Sequence, residues 1–316
     1  MLKIAVLMDP IESINEPFDT SLRLLREASK RKWELFYLEP KDLFLKSGVA
    51  YASLKPLRVF DNPKKYYELD AESITPLSAI DALIMRKDPP FSIDYVYLTY
   101  FLEIAHSQGC HVVNHPRSLR DANEKIFASW FPDLIAPTLM TQRKDLFLDF
   151  VKEHQHVVIK PLDLMGGRSV YAIKYGDPKA LEYFNELSLN ENRIILVQPY
   201  LPEVETQGDK RIFLVDGVAL EDVLLRMPKS GDFRANMAAG GSISLAKLSS
   251  EDRHICERLG PVLKKMGILF AGIDVIGKTL SEINITSPTG IPAIESLCGK
   301  NYAKPILDSL VKQLNT

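Results

Sequence analysis

The sequence predicts a parallel α/β layer at the N-terminus that passes into an α+β remainder, and three observations carry this expectation. Apolar, strand-length runs alternate with helical candidates over the first third of the 316 residues. That strict alternation is lost after about residue 120. Near the end, Asp274-Val-Ile-Gly277-Lys-Thr-Leu-Ser-Glu282-Ile-Asn284 reads as a hairpin with oxygen-bearing side chains on one face. Strands are expected at 4–8, 35–38, 82–85 and 111–114, with helices at 20–30 and 94–107, the pattern of strands joined by crossover helices. The stretch 50–81 is less regular and yields no clear elements. Residues 1–122 are read as one α/β domain and residues 123–316 as a second, divided into parts of about 123–200 and 201–316.

In the second domain Asn123-Glu124-Lys125 is expected to open a helix carrying Phe127, Trp130 and Phe131. Strands follow at 157–160, 169–174 and 194–198, with a helix near 179–187. After Gly208 an antiparallel pair, 212–215 and 218–225, turns at Asp216-Gly217. A helix at 251–266, the hairpin at 270–284 and a helix at 304–314 close the chain.

Bulk composition excludes several classes. Hydrophobic content of 46% and charged content of 25% suit a globular chain with a well-buried core. A net charge of −2 gives no field to recruit nucleic acid. No run approaches the roughly 18 apolar residues of a membrane helix, and the apolar start stops at Asp9-Pro10, too short for a signal-peptide core. Cys110, Cys256 and Cys298 are scattered and lack metal spacing, which fits a reducing cytoplasm. Cys298 is read as a bystander. The six histidines form no metal spacing on a shared face, and no nucleophile elbow is present.

The hairpin is the most informative feature. Glu282 and Asn284 are two apart and share a strand face. If Gly277, Lys278 and Thr279 form a three-residue loop, Glu282 lies directly across from Asp274. Two carboxylates and an amide oxygen then converge as Mg²⁺ requires, with oxygen ligands at about 2.0–2.1 Å and other positions left to water and phosphate. That points to nucleotide triphosphate chemistry. The loop Asp163-Leu-Met165-Gly166-Gly167-Arg168-Ser169 follows a strand ending in Lys160. Paired glycines let backbone N–H groups approach phosphate, and the lysine adds a point charge. Lys125 is a second candidate phosphate ligand, and Gln198-Pro-Tyr200-Leu201 can present main-chain groups to an adenine edge. Arg211 shares a strand face with Phe213 and Val215, and Arg226 ends the next strand. Two guanidinium forks aimed at one place suit a phosphoryl group. The aperiodic, small-residue stretch 228–241, with Arg234 and Asn236, reads as a lid. Arg86, at the C-terminal end of a first-domain strand, is placed where ligands of parallel sheets gather.

Together these motifs resemble the ATP-grasp superfamily, and within it the bacterial glutathione synthetases. The resemblance rests on Met85-Arg-Lys-Asp-Pro-Pro-Phe91, Ser118-Leu-Arg-Asp-Ala-Asn-Glu-Lys125, Lys160-Pro-Leu-Asp163, Met165-Gly-Gly167, Gly208-Asp-Lys-Arg211, Asn236-Met-Ala-Ala-Gly-Gly241 and the segment 281–289, in family order along nearly the whole chain. It implies an N-terminal α/β domain followed by a two-part ATP-grasp fold. The implied reaction joins γ-glutamylcysteine to glycine at the expense of ATP, through an acyl phosphate. Lys125, Lys160, Met165, Gly166, Gly167, Gln198, Tyr200, Leu201 and Asp209 would contact ATP. Asp274, Glu282 and Asn284 would hold two Mg²⁺ (or Mn²⁺), with Glu282 bridging. Arg86, Arg211, Ser287 and Pro288 would position the dipeptide, Arg234 and Asn236 would face substrate from the lid, and Arg226 would contact the transferred phosphoryl group. The family forms homotetramers, with a homodimer as the alternative. The chain departs from the family pattern at Leu164, Arg168, Ser242 and 290–293, where Pro292 and Ala293 stand. A different amine acceptor, or a non-catalytic ATP-binding paralogue, stays open on these residues alone.

Overall fold

The computed structural model describes residues 1–164, 169–235 and 240–315, which form three sheets with their flanking helices. The first sheet contains β1 (Lys3–Met8), β2 (Glu34–Leu38), β3 (Leu43–Lys46), β4 (Val49–Val59), β5 (Tyr67–Leu69), β6 (Ser73–Pro76), β7 (Ala82–Arg86) and β8 (His111–Val113). Its parallel core runs β2-β1-β7-β8, and β4 adds antiparallel to β2. Helices α1 (Thr20–Lys30) and α2 (Ile93–Ser107) make the crossovers as the alternation predicts. α1 starts where the Asp19 side chain accepts the Leu22 N–H, and α2 where Ser92 accepts from Tyr95, each satisfying an orphan donor. The stretch 50–81, which gives no clear sequence signal, lies in an antiparallel extension in which β4 pairs with four other strands.

A short α3 (Pro116–Asp121) leads to the second sheet: β9 (Leu139–Thr141), β10 (His156–Pro161), β11 (Tyr171–Lys174) and β12 (Ile195–Pro199), all antiparallel. The helix expected from Asn123 is only one 3-10 turn, Phe127–Trp130. From Glu124 to Leu134 the chain instead docks along the final hairpin strand, with Ile283 N–H donating to Glu124 O and Leu280 N–H to Leu134 O. Helices α4 (Lys144–His154) and α5 (Ala180–Ser188) cover one face of this sheet, and Phe147, Phe184, Ile159 and Val197 form its own core.

α6 (Glu203–Gln207) precedes the third sheet: β13 (Asp209–Val215), β14 (Val218–Ala219), β15 (Asp222–Met227), β16 (Ser242–Lys247), β17 (Phe270–Ile276) and β18 (Thr279–Asn284), in the order β16-β15-β13-β17-β18. The expected strand 218–225 breaks after Ala219, and β16 was not foreseen. α7 (Ser250–Lys265) packs Ile255, Leu259 and Leu263 on one face, against Ile212, Leu214 and Ile273. α8 (Ile291–Cys298), also unforeseen, and α9 (Ala303–Leu314) pack near the other face in a core that continues through Phe213 and Phe270 to α1 and β1. No helix is long and apolar enough to cross a membrane, among the described residues.

The Asp216-Gly217 turn touches α7 backbone to backbone. Asp216 and Gly217 have φ of 48° and 78°, the double positive φ of a tight hairpin. A Cβ on Gly260 would lie 2.2 Å from Gly217 O. Alanine is favoured over glycine in helices by about 1 kcal/mol, but this overlap costs about 1–3 kcal/mol. Gly260→Ala is therefore expected to lower stability in urea unfolding.

Candidate active site

The sheet pairings bring the charged motifs to one face. Arg211 pairs with Asp274 across β13 and β17, Asp209 with Arg226 across β13 and β15, and Asp274 with Glu282 across β17 and β18. The Asp274–Glu282 pairing is as the sequence implies, but the loop is not. Ile276 pairs with Thr279 and Val275 with Leu280, leaving a two-residue turn, and a bulge between Asp274 and Val275 restores the register. The extra residue, Ser281, keeps Glu282 and Asn284 on the charged face.

This face and the facing side of the second sheet enclose a cavity of about 380 Å³, within the range of ligand pockets. Four buried cations line it, Lys125, Lys160, Arg211 and Arg226, each no more than 7% exposed. Burying charge is costly unless it is paired. Asp274 takes most of the pairing: its Oδ1 accepts from Arg211 Nε at 2.6 Å and lies 2.8 Å from Arg226 Nη2, and its Oδ2 accepts from Arg211 Nη2 at 3.1 Å. Burial pushes the Asp274 carboxyl up, but the two guanidinium groups outweigh it and hold it below the usual range. At Glu282 burial is likewise outweighed, here by Lys125 and Lys160, whose Nζ atoms lie 3.9 and 3.5 Å from Oε1. Asp209 differs: burial pushes it up to about 6 despite its ion pair with Arg226. Asp209 Oδ1 and Arg226 Nε are buried without hydrogen-bond partners among the described residues. Five cations (Lys125, Lys160, Arg211, Arg226 and Arg234) and five carboxylates (Asp88, Glu124, Asp209, Asp274 and Glu282) line the cavity, and the four buried cations converge on it as a polyphosphate would require.

The metal donors fit a hard cation in part by what is left uncommitted. Among the described residues the Glu282 carboxylate makes only the two long contacts, and Asn284 donates through Nδ2 to Asp274 at 3.4 Å, which turns its Oδ1 away for use as a ligand. Asp274 is more heavily engaged, so its release toward a metal requires the guanidinium groups to find phosphate or substrate oxygens instead. No cluster of three His, Cys, Asp or Glu side chains suited to a metal occurs among the described residues. The donor set is two carboxylates and an amide.

The far end of the cavity is apolar, lined by Val158, Val170, Leu201, Val204 and Ile276. Gln198 and Tyr200 border it. Gln198 Nε2 donates to Thr138 Oγ1 at 2.9 Å, and Tyr200 stacks on His156 with centroids 4.2 Å apart. Arg234 and Ser287 also line the cavity, with Arg234 held to Asp232 at 2.8 Å. Met165, Gly166, Gly167, Arg168 and Asn236 lie outside the described residues.

Two expected substrate residues stand behind the wall, not in it. Arg86 is 4% exposed, donating to Ser21 Oγ at 2.9 Å and to Pro288 O at 3.0 Å. Neither Arg86 nor Pro288 borders the cavity; Arg86 supports the backbone of the 287–289 segment. Of the two residues that depart from the family pattern there, Ala293 is in the core of α8 and Pro292 is half-buried in its first turn, and neither borders the cavity. Conversely, Glu124 and Asp88 line the cavity and were not singled out. Each is next to or near a motif residue that was, in Asn123-Glu-Lys125 and Arg86-Lys-Asp88, and that adjacency was the available signal.

Comparison with known proteins places this geometry. A solved Chryseobacterium gregarium RiPP-associated ATP-grasp ligase superposes with a TM-score of 0.67 at 14% identity, covering 99% of this chain and 97% of that one. That likeness of fold, with a matching family domain over residues 124–299, defines an ATP-grasp protein. The prokaryotic glutathione synthetase N-terminal domain matches residues 2–120, and the ATP-grasp domain of the same family matches residues 124–299. Glutathione synthetases of Pseudomonas syringae pv. tomato and Coxiella burnetii are 44% and 45% identical, covering 99% and 93% of this chain and 98% and 92% of their own lengths. The chain belongs to the prokaryotic glutathione synthetase family.

Gly272 makes room for the central guanidinium: a Cβ there would lie 3.0 Å from Arg211 Cδ and 3.3 Å from Nη1. Gly272→Ala is expected to displace Arg211 from Asp274 and lower kcat/KM at least about tenfold, with the fold retained by circular dichroism.

Proposed function

We propose that the chain is an ATP-dependent ligase that joins γ-L-glutamyl-L-cysteine to glycine, yielding glutathione, ADP and phosphate. The observation that carries this reading is the cavity between the second and third sheets, where four buried cations face the Asp274–Glu282 pair in a chain of this family. Residues 1–122 are read as the domain presenting the Arg86 end of the site, and 123–316 as the ATP-grasp domain that holds nucleotide between its two parts.

Lys125 and Lys160 neutralise phosphate charge, and the apolar end beside Gln198, Tyr200 and Leu201 receives the adenine. Asp209 borders the same cavity on the nucleotide side. Asp274, Glu282 and Asn284 would hold Mg²⁺, with Mn²⁺ a fit to the same donors; when bound, the metal screens the phosphate oxygens and draws charge from the leaving ADP. Arg211 and Arg226 orient the carboxylate oxygen that attacks the γ-phosphorus and the phosphoryl group it receives. The bond from that phosphorus to the bridging oxygen breaks and ADP leaves. The glycine nitrogen then attacks the acyl carbon, the bond from carbon to phosphate oxygen breaks, and the nitrogen loses its proton. Phe233, Arg234 and Ala235 line the cavity, and the stretch 228–241 serves as a cover that keeps water from the acyl phosphate. Ser287 and the Pro288 segment braced by Arg86 set the position of the dipeptide. A homotetramer or homodimer in the cytoplasm completes the reading.

The deciding assay is phosphate release from ATP with γ-glutamylcysteine, with and without glycine, with mass detection of the product. Glycine-dependent release and a glutathione mass are expected; nucleotide binding without turnover would overturn the substrates. Glu282→Gln is expected to reduce metal-dependent turnover by at least about a hundredfold, since the metal contributes several kcal/mol to the transition state. Turnover like that of the unaltered chain would remove Glu282 from the metal site.

A further inference from the structure

The carboxylates that border the cavity have unequal partners. Asp209 is paired with Arg226, Asp274 with Arg211 and Arg226, and Glu282 with Lys160 and Lys125. Glu124 has no cation within ion-pair distance among the described residues. Among the described residues its carboxylate has one hydrogen bond, from Thr286 Oγ1 to Oε1 at 2.6 Å. The nearby cations are committed elsewhere: Lys125 Nζ donates to Leu164 O at 2.6 Å, and Arg211 to Asp274 and to Thr289 O. Glu124 is half-buried and borders the cavity. Burial pushes its carboxyl up, and the Thr286 hydroxyl offsets this only in part.

A half-buried carboxylate with one neutral donor and no ion pair is costly to keep charged. The cost is removed if a cation arrives with the ligand. The metal that would accompany the nucleotide has its own donors in Asp274, Glu282 and Asn284, whereas both other substrates of the proposed reaction carry a primary ammonium group. The position suits them. Glu124 borders the cavity together with Ser287 and Thr289, and Arg86 braces the Pro288 between these two residues. Its main chain is fixed by the Ile283 N–H, so the carboxylate has a set origin.

We propose that Glu124 is the receptor for a substrate ammonium group, either the α-ammonium of the γ-glutamyl donor or the amine of the acceptor. This assignment rests on the ligase reading above. Thr286 is the positioning residue: its hydroxyl occupies Oε1 and leaves Oε2 for the ligand.

The test is steady-state kinetics of Glu124→Gln, which keeps shape and the Thr286 hydrogen bond while removing the charge. Loss of one charge-assisted hydrogen bond is expected to raise KM for one ammonium-bearing substrate at least about tenfold. KM for ATP should stay within about twofold. A donor lacking the α-amino group, glutaryl-cysteine, distinguishes the sources. If the donor is held, the unaltered chain discriminates against this analogue and Glu124→Gln does not. If the acceptor is held, discrimination is unchanged and KM for glycine rises. KM values for both substrates within about twofold of the unaltered chain overturn the assignment alone. So does a parallel rise of all three KM values with a lowered melting temperature, which marks a structural role. Absence of turnover by the unaltered chain with this substrate pair overturns the ligase reading, and this assignment with it.

Discussion

Four cations buried around one cavity are the constraint to which much of the third sheet answers. Isolated, each would repel the others and pay heavily for leaving water. Asp274 makes the arrangement possible by accepting two guanidinium groups at once. That role fixes the pairing of β13 with β17, the absence of a side chain at Gly272, and the bulge that aims Glu282 at the lysines. Polar contacts of this kind are weak evidence for stability, because the same volume filled with apolar side chains is often as stable. They are better understood as a charge pattern held ready for a polyanion. In that state the guanidinium forks and the Asp274 carboxylate occupy each other.

Much of the parallel layer was legible because its strands are short, apolar runs with helices between them. β4 was not, for a physical reason. Ala50, Ala52 and Leu54 face one core, while Leu57 and Val59 face another, so the buried phase slips by one residue near Lys55 and Pro56. A slip of one residue reverses the face of a strand, and a period-two signal read over the whole segment cancels. The helix expected at Asn123 failed differently. Asn123 Oδ1 accepts the N–H groups of Lys125 and Ile126, as a helix cap would. Long-range bonds to β18 then take the backbone groups that a helix would have used.

The site was legible where the strand period alone decides the outcome. Arg211, Asp274, Glu282 and Asn284 meet because side chains alternate and neighbouring strands pair. The hairpin gave the right facing pair by a compensation, a shorter turn offset by a bulge. Glu124 was obscured by Lys125 beside it, since a sequence shows a charged neighbour without showing which charges find partners. Arg86 illustrates the reverse. Its place at the end of β7 is that of a ligand-facing residue, but burial turns it into a brace for Pro288.

The three sheets do not share their hydrophobic interiors equally. Side chains of β1, α1, β13, β17, α8 and α9 belong to one continuous core, and Thr20 of the first layer accepts the N–H groups of Gly290 and Ile291. The second sheet keeps a core drawn entirely from its own strands and from α4 and α5. Mechanically, the molecule is thus one broad block with a smaller plate set against it. Parting the plate from the block would open neither hydrophobic interior, whereas the first and third sheets cannot part without exposing theirs. Lys160 belongs to the plate, so its contact with Glu282 spans the cleft.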